Sequence, residues 1–378
     1  MSSHHPATRI LLVGATGYVG GTVLHRLLTG PNALSKICSI TVLVRGEDRA
    51  TKLGQVYGDR IVTTLFKNLD DTDIVEDIAS QHDLIINAGT GFHLSSAVAM
   101  VRGLSRRHRD HGQQQWLIHT AGTSNCCDSP YSGESYPERW FDDADSLTTY
   151  EFEKAEDKRV PYPQRTTELA VLDAGEETGV NVISLQIGAI IGEGGGLFST
   201  SPSLVSILMR LVLEKGCGFQ FGDGTGQIGF VHVIDLADLY VLLCQRLLRT
   251  EDGDLPRGRS GIIFPCVGMI KFMDISRGCV EAAWKRGVLP KDGGPQTKDI
   301  RKIDMEEFVS FLGEGPIIRH VASTFAAHWN TIGTIAKGLG WQPAHSFEAM
   351  QKEYDTELVA VLQGKRQCHL HSILAQED

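Results

Sequence analysis

Apolar positions along the chain follow two alternating patterns. Short unbroken runs, such as Ile10 to Val13 in "RILLV", give way to segments whose apolar residues recur every three or four positions. An unbroken run predicts a strand buried on both faces, and the longer period predicts a helix laid against it. On this reading "RILLV", "SITVLVRG", "RIVTTLF", "DLIINAGTG" and "QWLIHTAGTS" are strands, "GVNVISLQIGAII" adds a sixth, and "SGIIFPCVG" is the last strand of the sheet. A helix is expected from about Tyr18 to Leu28, a crossover helix over "SSAVAMVRGLSRRH", and another over "FVHVIDLADLYVLL" with Asp235 as its N-terminal cap. Strands alternating with helices predict an α/β fold with a doubly wound parallel sheet, its ligands lying beyond the carboxyl ends of the strands.

The first strand runs into "GATGYVG", where Gly14, Gly17 and Gly20 follow a G-x-x-G-x-x-G spacing. Gly14 suits the tight turn, Gly17 lets backbone approach a pyrophosphate, and Gly20 permits close helix–strand packing. With Thr16, Tyr18 and Val19 they open a helix whose free N–H groups point at that phosphate. A glycine turn set between a strand and a helix predicts a Rossmann dinucleotide site. The second strand ends in Arg45, where an acid would bind both ribose hydroxyls. An arginine there suits a 2′-phosphate, so NADP(H) is expected over NAD(H). Asn68 and Leu69 are placed at the adenine, while Asn87, Ala88 and Gly89 end the fourth strand with residues small enough for a cofactor to lie against.

The dinucleotide domain is expected over residues 8–193 plus 226–268. A small, mostly helical lobe over 194–225 plus 269–363 would wall the substrate site, and 364–378 form a tail. His232, flanked by valines, reads as a buried, hydrogen-bonded histidine. The stretch "DDADSLTTYEFEKAEDK" reads as a solvated loop or short helix.

Composition narrows the partners. A formal net charge of −10 and the lack of a long Lys/Arg run disfavour nucleic acid. The polar start "MSSHHPATR" leads straight into a strand, so neither a secretory signal nor a membrane span is expected, and the reading is cytoplasmic. Eight cysteines without CxxC pairs suggest reduced thiols and no metal site. The expected partner is a small-molecule substrate, and the expected assembly a homodimer.

Taken in order, "GATGYVG", the "NAG" and "HTAGTS" strand ends, "GVNVISLQIGAIIGEGGG", "FVHVIDLADLYVLL" and a late "LGWQP" resemble the extended short-chain dehydrogenase/reductase family, its NAD(P)-dependent epimerase/dehydratase group. "QRTTELAVLDAGEETGV" and the glycine-rich loop after it look like a fungal branch of epimerase-like proteins. The resemblance implies a catalytic Tyr with a Lys four residues on, and a strand-end hydroxyl that supports the substrate oxygen. Thr120 and Thr123 are the expected supporting hydroxyls, with Thr120 also at the cofactor. The chain's Y-x-x-x-K, Tyr150 to Lys154, lies too far before the next strand. Tyr162 stands one helix length before Gly179 and takes the tyrosine position, but Thr166 stands where the lysine belongs. Gln186 and Ile187 occupy the family's Arg-Pro positions at the cofactor.

These features imply an NADP(H)-dependent oxidoreductase acting on a small carbonyl, hydroxyl or sugar-like compound. The missing lysine keeps two alternatives open: a redox-silent isomerase, cyclase or lyase in the same cleft, and a non-catalytic NADP(H)-binding regulator.

Overall fold

The computed structural model describes residues 8–30, 33–34, 38–89, 91–200, 203–249, 253–289, 297–313 and 315–365. Its main sheet contains β1 (Thr8–Val13), β2 (Cys38–Val44), β3 (Val62–Leu65), β4 (Leu84–Asn87), β5 (Trp116–Gly122) and β6 (Asn181–Ile187). Two lobe strands follow, β7 (Ala189–Ile191) and β8 (Gln227–His232), and then β9 (Ile262–Ile263), which rejoins the main sheet. The order is β9-β6-β5-β4-β1-β2-β3, parallel throughout, with Val13 paired to Leu43 on one side and to Asn87 on the other. The sheet winds outward both ways from between β1 and β4. That switch point is where the connecting loops part and leave a crevice.

The apolar run in β1 is buried on both faces, as two-sided cover requires. Ile10 and Leu12 enter a core with α1 (Tyr18–Thr29), whereas Leu11 and Val13 enter a second core on the opposite face. In chain order the next helices are α2 (Glu47–Tyr57), α3 (Thr72–Ala79), α4 (Leu94–His111), α5 (Ser146–Arg159), α6 (Pro163–Thr178), α7 (Ser203–Lys215) and α8 (Val233–Leu248). Helix α1 sits very close to the sheet: a Cβ added at Gly20 would lie 2.2 Å from the Gly14 carbonyl oxygen. Arg26 donates two hydrogen bonds to Asp238, at 2.6 and 2.9 Å, and so ties α1 to α8.

A third core forms the lobe. Strands β7 and β8, expected with the dinucleotide domain, pair with each other, and β8 also joins β10 (Gly268–Lys271) and β11 (His328–Trp329). Around them pack α7, α9 (Phe272–Lys285), α10 (Met305–Leu312), α11 (Pro316–Thr324) and, beyond the short α12 (Ile335–Gly338), α13 (Phe347–Leu362). Phe221, Phe272, Phe308 and Phe325 form an aromatic cluster with ring centres 4.8 to 5.2 Å apart. The expected tail lies outside the described residues from 366 onward.

Two local expectations are corrected. The acidic stretch is a full helix, α5, with Tyr150 and Glu153 completely buried. The cap of α8 is His232, whose Nδ1 accepts from the Ile234 N–H, and not Asp235. Asp235 instead accepts from the backbone of Ala344 and His345, at 3.0 and 2.9 Å, and anchors the "LGWQP" segment.

Asp143 makes a similar tie. Buried after β5, it accepts from Phe264 N at 2.9 Å, Thr334 N at 2.6 Å and Ile335 N at 2.9 Å. Asp143→Ala leaves three backbone donors, that of Phe264 buried, without their acceptor, and is expected to lower unfolding stability by about 1–3 kcal/mol. The urea midpoint measures this, and a midpoint unchanged from wild type would contradict the role.

Candidate active site

A cavity of about 300 Å³ opens at the switch-point crevice. Its floor is the strand ends, with Gly89 after β4, Thr120, Ala121 and Gly122 on β5, and Ile187 on β6. The lobe supplies the roof from α7, α9 and α11. Tyr162 caps the start of α6 and projects into the cavity, where its hydroxyl lies 3.2 Å from Ser124 Oγ. Ser124 in turn donates to Gln164 Oε1 at 2.8 Å. The Tyr162 ring is wedged between Phe92 and His320, with centres 6.0 and 4.4 Å away. Burial pushes its phenol well above the ordinary range, against the hydrogen bond to Ser124 and the nearby Arg165.

The hydroxyl beside Tyr162 is therefore that of Ser124, not of Thr120 or Thr123. Residues 123–125 form a single 3₁₀ turn that swings Ser124 toward α6. Thr123 is turned inward, buried, with no hydrogen-bond partner for Oγ1 among the described residues. Thr120 lines the cavity, but its hydroxyl is bound to Tyr240 at 2.6 Å. Tyr150 and Lys154 do meet, at 2.9 Å, yet on α5, where they join Asp173 and Arg259 away from the cavity lining.

Among the described residues no lysine lines the cavity. Thr166 donates to Asp157 and to the Tyr162 carbonyl, and does not line the space. Arg165 lies 5.9 Å from the Tyr162 ring centre, held by Asp157 and by the carbonyls of Asn125 and Val160.

The glycine turn fits a dinucleotide. Gly14 has φ +89°, and a Cβ there would sit 2.5 Å from the Ala88 carbonyl oxygen, so the position is closed by protein. At Gly17 the nearest atom to an added Cβ is the Gly14 carbonyl oxygen at 3.2 Å, so the space beyond stays open. No acidic side chain stands in the first turn of α1, whose Tyr18 and Val19 border that opening. Thr16 lies in the turn itself. Arg45 is exposed just beyond β2. Asn68 folds back onto the Asp70 and Asp71 N–H groups in a loop after β3, followed by Leu69.

Two expected cofactor residues turn elsewhere. Asn87 is buried in the sheet, with Nδ2 3.1 Å from His119 Nδ1. Ala88 and Gly89 follow it, and Gly89 reaches the cavity. The Gln186 side chain faces away from the cavity because strand side chains alternate, leaving Ile187 on the cavity side.

A glycine turn at the switch point and a tyrosine–serine pair in the adjoining cavity define a nicotinamide-dinucleotide fold of the extended short-chain dehydrogenase/reductase type. The sequence profile of the NAD dependent epimerase/dehydratase family matches residues 10–254, and the chain belongs to that family. It is 28% identical over 356 residues to "Oxidase ucsJ" of Acremonium sp, covering 89% of this chain and 92% of that protein. Among solved structures it resembles vestitone reductase from alfalfa, with a TM-score of 0.58 at 15% identity over 95% of this chain and 99% of that one. It also resembles the dTDP-glucose 4,6-dehydratase DesIV of Streptomyces venezuelae with NAD bound, with a TM-score of 0.59 at 15% identity over 95% and 99% of the two chains.

Behind the cavity lies a buried polar cluster that the sequence did not suggest. Gln186 Nε2 donates to Glu153 Oε1 and, at 2.9 Å, to Glu168 Oε2. Asn125 and Ser184 donate to Glu168, and the Cys126 thiol lies 3.1 Å from Glu153. Burial pushes both carboxyls up, Glu153 further through the charge of Glu168, and Glu168 to about 7 from 4.5. Between about pH 4.5 and 7 the folded protein therefore binds more protons than the unfolded chain, and stability falls as pH rises. Glu168→Gln is expected to flatten this fall, removing about 1–3 kcal/mol of the loss between about pH 5 and pH 8. Parallel thermal melts of both proteins would show it, and equal slopes would exclude the carboxyl pair as its source.

Proposed function

We propose that the protein is an NADP(H)-dependent oxidoreductase acting on a carbonyl or hydroxyl group of a small organic substrate. The observation that carries this reading is the Tyr162 hydroxyl, bonded to Ser124 inside a cavity that adjoins the glycine turn. Gly17 and the first N–H groups of α1, from Thr16 to Gly20, would take the pyrophosphate of the cofactor. Arg45 would take the 2′-phosphate, Asn68 and Leu69 would border the adenine, and Gly89 and Ile187 would flank the ring that reacts. When bound, the nicotinamide supplies or accepts the hydride. Residues 8–193 plus 226–268 would form the cofactor half and 194–225 plus 269–363 the substrate half, with β7 and β8 as the seam.

Tyr162 holds its proton at neutral pH because burial opposes its charge. It is therefore suited to donate to a substrate oxygen that gains charge in reduction, while Ser124, whose own proton goes to Gln164, holds the phenol in place. In the reverse direction Tyr162 must lose its proton, so oxidation should accelerate steadily toward alkaline pH. That no described lining residue is a cation supports a second reading, redox-silent isomerisation or elimination with Tyr162 as acid.

Two experiments test the proposal. Tyr162→Phe should cut turnover about 10²–10⁴-fold, while Tyr150→Phe leaves it unchanged. A reaction that leaves NADPH absorbance constant and survives Tyr162→Phe would favour the redox-silent reading. Arg45→Ala should weaken NADP(H) binding by about 1.5–3 kcal/mol and leave NAD(H) unaffected by calorimetry. Equal wild-type affinity for the two cofactors would remove the NADP(H) preference.

A further inference from the structure

The chemical character of the cavity limits what can react in it. Its described lining contains no Asp, Glu, Lys, Arg or His. The wall facing the lobe is hydrocarbon and aromatic, built by Leu204, Ile207, Ile228, Phe272, Val321 and Phe325. Most polar atoms along it are already engaged. Thr324 Oγ1 donates to the Val321 carbonyl, Trp329 Nε1 to the Thr324 carbonyl, and Thr120 is bound to Tyr240. Polar groups turned to the space are gathered at the opposite end, where Tyr162, Ser124 and Gln164 stand together.

Gln164 has a definite role at that end. Its Oε1 accepts from Ser124, which leaves Nε2 as a donor directed at the cavity side of Gly91, where an added Cβ would come within 3.3 Å of it. An amide donor beside the Tyr162 phenol provides two hydrogen bonds to one oxygen without bringing in charge. A pyrophosphate or carboxylate, by contrast, would enter a low-dielectric space with no cation to pair with, at the full cost of desolvation.

We infer that the site takes an uncharged, largely apolar carbonyl or hydroxy compound whose single oxygen is held by Tyr162 and Gln164 and whose hydrocarbon or aromatic body lies against the lobe, and that it does not take a nucleotide-linked sugar. This inference rests on the cavity's being the substrate site of the proposed oxidoreductase.

Calorimetry on the full chain saturated with NADPH tests it, with acetonaphthone, naphthalene and uridine-diphosphate glucose as probes. Acetonaphthone should bind saturably, naphthalene about tenfold more weakly for want of the hydrogen-bonded oxygen, and the sugar nucleotide not at all. Gln164→Leu should shrink the preference for the ketone over naphthalene. Val321→Glu, at a partly exposed wall position, should weaken both aromatic probes at least about tenfold while NADPH affinity stays at the wild-type value. Saturable binding of the sugar nucleotide as tight as that of acetonaphthone would overturn the inference. So would the absence of binding by either aromatic probe. Because heat is read and not NADPH absorbance, ketone binding without turnover would count against the oxidoreductase proposal while leaving the substrate class standing.

Discussion

The lobe is made of chain segments that leave the sheet and return to it, and buried aspartates hold those segments in place. Asp128, just after β5, accepts from Tyr136 N and His328 N at 2.6 and 2.8 Å and pairs with His328 Nδ1 at 2.8 Å. Asp143 and Asp235 gather backbone donors from residues 264, 334–335 and 344–345 in the same manner. Each carboxylate joins stretches about one to two hundred positions apart, beyond or beside the short ladders that link them. An ionised acceptor makes stronger hydrogen bonds than a neutral one, and a buried backbone N–H left without a partner is costly. With the apolar core of the lobe, these ties hold β11 and the segments after it over the strand ends.

That geometry also explains why the described lining of the cavity carries no charged side chain. The segments it joins present their aromatic and branched side chains inward, and the Phe221–Phe272–Phe308–Phe325 cluster continues into the roof. Buried ionisable groups lie behind the cavity: Arg165 is engaged by Asp157 and two carbonyls behind the ring, and the carboxyls of Glu153 and Glu168 lie on the far face of β6.

Much of this was legible in the sequence, and the exceptions follow a rule. Apolar runs marked the central strands, because a strand covered on both faces has no choice but to be largely apolar, whereas the edge strand β3 is half polar and exposed at both ends. Spacing along a helix identified Tyr162 over Tyr150, because a helix has a fixed rise whereas a loop does not. Ser124 was missed in favour of its neighbours because a single 3₁₀ turn decides which of two adjacent hydroxyls, those of Thr123 and Ser124, faces the cleft. Asn87 and Gln186 were assigned to the cofactor although strand alternation turns them into the sheet or behind it. Helix α5 was obscured by its own burial pattern: the positions it buries are Ser146, Thr149, Tyr150 and Glu153, so no apolar stripe announces it.

The chemistry of the site follows from what surrounds one phenol. A tyrosine that must lose its proton needs a cation close by, and here the residue one turn on is a threonine committed to Asp157. A tyrosine that must only lend its proton needs none, provided that another neutral donor shares the oxygen as charge builds. Gln164 Nε2 would be such a donor, with Ser124, whose proton goes to Gln164, holding the phenol, and neither brings a charge that an apolar cavity would have to bury. Asp157 is shared by Thr166 and Arg165, so the cation nearest the phenol is neutralised behind the ring and none stands among the described residues that line the cavity.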